Sequence, residues 1–316
     1  MTRDLITNQK RATKLTLLRE SRAIRELASN YAEAIEAIRA DLARLYERYA
    51  ENGKLTHAEM SKYNRLASLE RQIREDIRPV ALRNNRLLDR LAKVQYEESF
   101  YRHAWTLDQH VGVSLRWGLL SPEQVTAAVS NDLALLAKNA LSRDTLLRVN
   151  RAITQGLIRG TSLRQMMQGV REAMNTTAND AMRIARTEAH RARELGNLLA
   201  TQKAEDQGVA ITRIWDATLD DRTRNRHAQL DGQPESNGGW TLGGVKATYP
   251  GDPALPPGQS INCRCSAIDT VEGYSPTVRR VRGDGLQPYQ TFETWAKAHG
   301  VKANRYGQKY NFVGAA

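Results

Sequence analysis

Cys263 and Cys265 are the only two thiols in the chain, and they stand one residue apart in the run Ile261-Asn262-Cys263-Arg264-Cys265. Upstream, the stretch Asp220-Asp221-Arg222-Thr223-Arg224-Asn225-Arg226-His227 leads to Leu230-Asp231-Gly232. Asp220 is placed to cap a short helix over 221–230, which would bring His227 and Asp231 onto one face at i, i+4. In a strand, Cys263 and Cys265 would point to the same side, because strand side chains alternate with period 2. One imidazole, one carboxylate and two thiolates that converge match the donor set of a tetrahedral structural Zn²⁺. A C-x-C pair is less specific than the C-x₂₋₄-C pairs of most zinc sites, so packed thiols, a redox role and an intermolecular bond stay open beside it. A disulfide between the two is geometrically poor, since their Cα atoms would lie ~6.5–7 Å apart along an extended strand.

A second polar constellation is Arg186-Thr187-Glu188 with Arg191. On a helix, Glu188 and Arg191 are i, i+3 neighbours and would form an intrahelical pair of ~0.2–0.5 kcal/mol. The alternative is that Glu188 reaches a second element and neutralises Arg222, Arg224 or Arg264. Together Arg186, Glu188, Arg222, Arg224 and Arg264 are expected to form a polar network that ties a long helix to the segment bearing His227 and the cysteines. The chain has no H-E-x-x-H, G-x-S-x-G or phosphate-binding P-loop motif.

The elements that must position these residues are mostly helical. Ile24, Leu27, Tyr31, Ile35, Ile38, Leu42, Leu45 and Tyr49 recur at spacings of three or four, the seam of a packed helix. Asn52-Gly53 signals a turn, and Thr56 with Glu59 reads as a capping box that opens a second helix. That helix carries Leu66, Leu69, Ile73, Ile77, Val80, Leu87, Leu91 and Val94, with Pro79 expected to kink or interrupt it. The pair predicts an antiparallel coiled-coil hairpin.

Further on, Ser121-Pro122-Glu123 opens a helix, and Gly160-Thr161-Ser162 separates two more. The methionines around 167 and 174 are core filling, and another helix is expected to start near Ala178 and run past Leu199. After Gly208 the texture changes. Val209 to Trp215 alternates as a strand, Gly238-Gly239 and Gly243-Gly244 flank a hairpin, and six of the nine prolines fall from 234 to 276. Loops this long need a staple or a partner. Tyr289 to Trp295 is expected to start a short helix and Gly307 to Ala316 to form a tail. The fold class is α+β and predominantly α-helical, with an N-terminal helical hairpin arm, a helical middle region and a small α+β C-terminal domain with long Pro/Gly-rich loops. The expected parts are 1–110, 111–177, 178–299 and 300–316.

With 316 residues, 41% hydrophobic and 26% charged, the chain is a folded protein and not a disordered one. No stretch approaches the ~20 apolar residues of a membrane span, and the N-terminus lacks the apolar core of a signal peptide. Two cysteines exclude a disulfide framework. The formal charge of +12 permits contact with a polyanion through counterion release. The densest run, Lys10, Arg11, Lys14, Arg19, Arg22 and Arg25, reads as an arm for DNA or an acidic partner.

In order along the chain, Ala185-Arg186-Thr187-Glu188 with Arg191, Trp215, Asp220 to Arg224 with His227, Leu230-Asp231-Gly232, Pro250-Gly251-Asp252-Pro253, Asn262-Cys263-Arg264-Cys265 and Tyr289-Gln290-Thr291-Phe292-x-x-Trp295 make a specific series. The series resembles the phage Mu F-like, or minor head protein (head morphogenesis), family of tailed bacteriophages. The likeness covers about two-thirds of the chain and leaves the first hundred residues without an assigned motif. It implies a structural virion component, not an enzyme, assembled in the host bacterial cytoplasm and resident in the phage head. The implied partners are the portal protein, the major capsid protein and packaged DNA, with no membrane and no small-molecule substrate. Some family members carry an added C-terminal toxin or enzyme domain, for which the residues after Trp295 are too few. Two readings of other classes are a metal-dependent nuclease using His227, Asp231 and Asp220, and a nucleic-acid-binding protein outside the virion.

Overall fold

In the computed structural model, the structure describes residues 2–111, 115–271, 278–281, 285–288, 297–298 and 300. The fold is predominantly α-helical, 70% of the described residues, with a small β region towards the C-terminus. Helix α1 spans Thr2–Tyr49, α2 His57–Ser61, α3 Arg65–His110, α4 Pro122–Val129, α5 Asp132–Arg159 and α6 Leu163–Glu205. Strand β1 (Ile211–Asp216) is followed by α7 (Asn225–Gln229), β2 (Trp240–Leu242), β3 (Val245–Ala247), α8 (Pro257–Ser260) and β4 (Ser266–Val271), with β5 (Val278–Val281) and β6 (Gly285–Pro288) after it. The expected helix at Tyr289–Trp295 and the tail from Gly307 lie outside the described residues.

Several helix signals act as their chemistry dictates. Thr56 Oγ1 accepts from the Glu59 amide at 3.2 Å, and Ser121 forms a reciprocal box with Gln124. Helix α5 ends on Gly160 at φ 57°, the left-handed C-cap that glycine adopts without a Cβ clash. Three details depart from expectation. The second hairpin helix does not start as one rod, because Tyr63 and Asn64 take left-handed φ of 53° and 56° between α2 and α3. Helix α3 runs unbroken through Pro79. That ring is exposed, so water can serve the carbonyl it leaves without a donor. Helix α6 starts at Leu163 and not near Ala178, because no glycine or proline stops it across 170–178.

The chain forms two compact units. One comprises Ser21–Arg90 and Asn131–Ala185 and is a helical bundle. Its core brings Leu42, Ile38 and Tyr31 of α1 together with Ile73 and Val80 of α3, Val149 and Ile153 of α5, and Met167, Val170 and Met174 of α6. The hairpin seam thus closes on α5 and α6 as well as on itself, and the two methionines fill that core.

The other unit comprises Met1–Glu20, Leu91–Ser130 and Arg186–Ala316. Here Phe100, Tyr101 and Trp105 of α3 and Ala200 and Ala204 of α6 pack with Trp117, Ile211 and Val271. Gly196 of α6 lies against the backbone of Tyr96, and any Cβ there would overlap the Tyr96 carbonyl. Strands β1 and β4 pair antiparallel, with Ile214 opposite Ile268. Gln9 of α1 pairs with the Asp269 backbone through both amide groups at 2.9 Å, so a side chain does for this strand what a third strand would. The two-residue hairpin β2–β3 turns on Gly243 and Gly244, both at positive φ.

Candidate metal centre

The centre is built where β1, α7 and the segment after α8 meet. Trp215 on β1 is fully buried and meets His227 edge-on, with ring centroids 5.4 Å apart. On its other side it meets Trp240 of β2 at 5.3 Å. These two contacts fix the imidazole in an apolar wall. Helix α7 is shorter than expected. Its N-cap is Arg224, without a side-chain cap. Arg224 Nη2 instead donates to the Ile261 carbonyl at 2.6 Å and tethers the start of α7 to the cysteine segment.

Cys263 and Cys265 do not lie in a strand. They occupy the irregular residues just before β4. The chain turns into this segment at Asn262, whose φ is 54°, and the Asn262 amide donates to Thr187 Oγ1 of α6 at 3.2 Å. Both thiols are nonetheless buried and face His227. His227 Nδ1 lies 3.4 Å from Cys265 Sγ and 3.7 Å from Cys263 Sγ. The three donor atoms are all within 4.8 Å of one another. Zinc bonds of ~2.0–2.1 Å to nitrogen and ~2.3 Å to sulfur at tetrahedral angles place such donors ~3.6 Å apart, so the cluster has the dimensions of three corners of a zinc site.

The surroundings favour ligation. His227 Nε2 lies 3.1 Å from Gln259 Oε1 of α8. Donation to that carbonyl puts the proton on Nε2 and turns the Nδ1 lone pair to the sulfurs. The Cys265 thiol is drawn below its usual range, chiefly by the hydrogen bond from Cys263. Cys263 is pushed up by the same bond and by burial. Both shifts favour a thiolate at Cys265, the form that a cation binds.

Asp231 is not in the cluster. It is exposed, and its Oδ1 accepts from the Ala217 amide at 2.8 Å, pinning the turn back to β1. The expected arginine network also divides. Arg264 makes a bidentate pair with Asp220, both contacts 2.5 Å, and holds that carboxyl well below the usual carboxylate range. Exposed Arg222 reaches Asp220 only at 3.7 Å. Glu188 pairs with Arg191 at 3.0 Å on its own helix, and Arg186 is exposed on α6.

The sequence singled out neither His190 nor Gln259, and it placed Thr187 and Asp252 in motifs without assigning them a role. Asp252 takes the Thr248 amide and hydroxyl at 2.8 and 2.7 Å on one oxygen and the Ala254 amide at 2.8 Å on the other, closing the proline-rich loop. Gly251, at φ 85°, sits where a Cβ would meet the His190 ring at 2.6 Å and Cys263 Cβ at 3.6 Å. The Pro-Gly-Asp-Pro motif thus has a packing reason. Burial holds the His190 imidazole well below its ordinary range, and the Arg193 charge adds to that.

Residues 148–268 match the family described as Phage Mu protein F like protein. The chain is 32% identical to minor head protein GP7 of Bacillus phage SPP1 over 292 residues, 88% of this chain and 94% of that protein. It is 26% identical over 280 residues to the NAD(+)–arginine ADP-ribosyltransferase EFV of Enterococcus faecalis, 86% of this chain but 57% of that protein. An uncharacterized protein of Haemophilus influenzae is 27% identical over 157 residues, half of this chain and 32% of the relative. No solved structure matches. The matched span takes in α6, His227 and both cysteines, and the chain belongs to the phage Mu F-like minor head, or head morphogenesis, family.

Proposed function

We propose that the chain works as a minor structural component of a phage head, bound to the portal or the inner shell, with its C-terminal loops closed by a zinc ion. The first part rests on one observation, the likeness to a minor head protein along nearly the whole of both chains. The ADP-ribosyltransferase likeness leaves 43% of that protein unmatched, so its activity stays with it. Among the described residues no helix is long and apolar enough to cross a membrane.

His227, Cys263 and Cys265 would hold the ion, with Gln259 orienting the imidazole. Bound there, zinc links α7 to the segment after α8 and so serves as the staple that the loop lengths demand. Burial of all three donors fits a structural role and not a hydrolytic one. Of the basic run, Lys10 pairs with Asp216 at 3.0 Å and Arg19 with Glu98 at 2.9 Å. Arg11, Lys14, Arg22 and Arg25 are solvent-exposed and are the candidates for contact with DNA or an acidic partner.

Mass spectrometry of purified heads and of heads arrested before packaging tests the placement. The chain is expected in both, at few copies, and cross-linked to portal or shell. Its absence from both overturns the reading. Metal analysis of the purified, untagged chain is expected to give about one zinc per chain, and none would leave the cysteines as packed thiols.

A further inference from the structure

Away from the cysteines, the same unit encloses a cavity of about 120 Å³ between the first turns of α1, the C-terminal half of α3, α6 and the sheet. Its wall carries four cations, Lys10, Lys14, Arg102 and Arg193, against one carboxylate, Asp216. The cations are graded by depth. Lys14 is exposed and the Lys10 side chain is 55% exposed, whereas Arg102 and Arg193 are 1% and 3% exposed. The result is a funnel with lysines at the mouth and guanidiniums at the floor.

Protein groups do not use up the donors at that floor. Arg193 spends Nε on Glu194 at 3.2 Å and Nη2 on His190 Nδ1 at 2.5 Å, while its Nη1 has no partner among the described residues. Ser99, another residue of the cavity wall, has a buried hydroxyl that likewise lacks a hydrogen-bond partner among the described residues. Leaving such donors dry costs about 1–3 kcal/mol each, more when charged. The carboxylates behind the wall are also stretched. Glu98 serves both Arg19 and Arg102, at 2.9 and 2.8 Å. Glu194 serves Arg193 and the Ala267 amide. Glu20 stands near Arg193 and Arg186, and Asp269 is taken by His103 at 2.8 Å. Unused N–H groups on a planar guanidinium and a free hydroxyl, behind two lysines, are the donor set for tetrahedral oxyanions.

We propose that this cavity binds a small multivalent oxyanion of the phosphate class, with Arg193 and Ser99 at its base and Lys14 and Lys10 closing over it. The space admits a phosphate group and a little of what bears it, so the source is either free phosphate or a phosphate on a nucleic-acid strand. The site stands apart from the cysteine cluster and from the head assignment. It gives the basic N-terminal run a local task that net charge alone does not specify.

Calorimetric titration of the full chain with inorganic phosphate, at fixed ionic strength in chloride, tests it. One saturable site is expected. Lys14→Ala, at an exposed position that leaves the fold intact, should weaken it several-fold. Arg193→Gln should weaken it tenfold or more, the loss of a charge-assisted bond. Because Arg193 is buried, Ser99→Ala serves as the second interior variant, with its melting curve as the folding control. Absence of saturable phosphate binding, or equal binding by Lys14→Ala and Ser99→Ala, overturns the proposal. Competition by a short oligothymidylate then assigns the source. Displacement only by the 5′-phosphorylated form marks a strand end, displacement by the 5′-hydroxyl form too marks the backbone, and displacement by neither marks the free ion.

Discussion

The helical bundle and the cysteine-bearing region are stabilised by different physics. In the bundle, Leu27, Ile38, Leu42, Ile73, Val149 and Val170 are almost wholly removed from water, and regular helices satisfy the backbone. Each such side chain contributes about 1.5–3 kcal/mol of transfer free energy, so many small apolar gains hold the unit. From Trp215 to Cys265 there are only two three-residue strands and two helices of five and four residues. A small apolar cluster around Trp215, Trp240 and Leu255 is supplemented there by individual polar ties: Asp231 to Ala217, Asp252 to Thr248, Arg224 to Ile261, Arg264 to Asp220, and the His227–Cys263–Cys265 cluster. A distributed core tolerates loss of one member, whereas a region held by a few ties depends on each.

Metal removal sets the two apart most sharply. Chelation, or His227→Ala, is expected to loosen the region around Trp215 by several kcal/mol while helical circular dichroism persists. The loss stays below the ~10–16 kcal/mol of an isolated zinc finger, because Trp215, Trp240 and Leu255 still pack. Tryptophan fluorescence and near-ultraviolet circular dichroism read the change, since Trp215 lies against His227. Collapse of helicity on chelation would show that the two regions are not separately stabilised.

Leu42→Ala addresses the other side. Leu42 is completely buried in the bundle core, and its truncation should cost about 3 kcal/mol, read as an earlier far-ultraviolet unfolding transition that chelator does not shift. Gly251→Ala should cost about 2 kcal/mol in the loop region, through the strained φ and the overlap with His190. Its effect should appear in metal affinity as well as in melting, because Cys263 is the next atom along.

The contrast also explains what could be read from the chain. Leu27, Tyr31, Ile38 and Leu42 announce a buried helix face because a helix repeats its apolar residues, and the structure buries all four. His227, Cys263 and Cys265 stood out by residue type alone, and the structure brings them together, although the expected strand at the cysteines is absent. Asp231 has the same type and a helical offset from His227, yet it pins a turn. A carboxylate that caps backbone and one that binds metal look alike in sequence. Gln259 and His190 carry no local signal, and Thr187 stands in a motif that does not disclose its bond to Asn262, since each reaches the site from an element placed by tertiary packing. The cavity at Arg193 was hidden for the same reason, its wall being drawn from α1, α3, α6 and β4.

One polar pair intrudes on the apolar unit and offers the smallest test. Asp41 of α1, 8% exposed, stands beside Asp76 of α3, and one oxygen of each lacks a hydrogen-bond partner. Burial raises the Asp41 pKa, and the nearby Asp76 charge and carboxyl raise it further, against the opposing pull of Arg44. A proton shared between the two oxygens would satisfy both at once. Since Asp41 is raised in the folded state and ordinary in the unfolded one, its contribution is complete below the normal carboxylate range and lost as pH rises through the raised value. The bundle should therefore melt a few degrees higher at pH 5 than this pair allows at pH 7. Asp41→Asn, which keeps a donor between the carboxyls without the charge, should recover about 2–4 °C at pH 7 and flatten the dependence. A loss of stability at pH 7 in that variant would mean that the Arg44 pair outweighs the repulsion, and that the bundle, like the loops, relies on a specific polar tie.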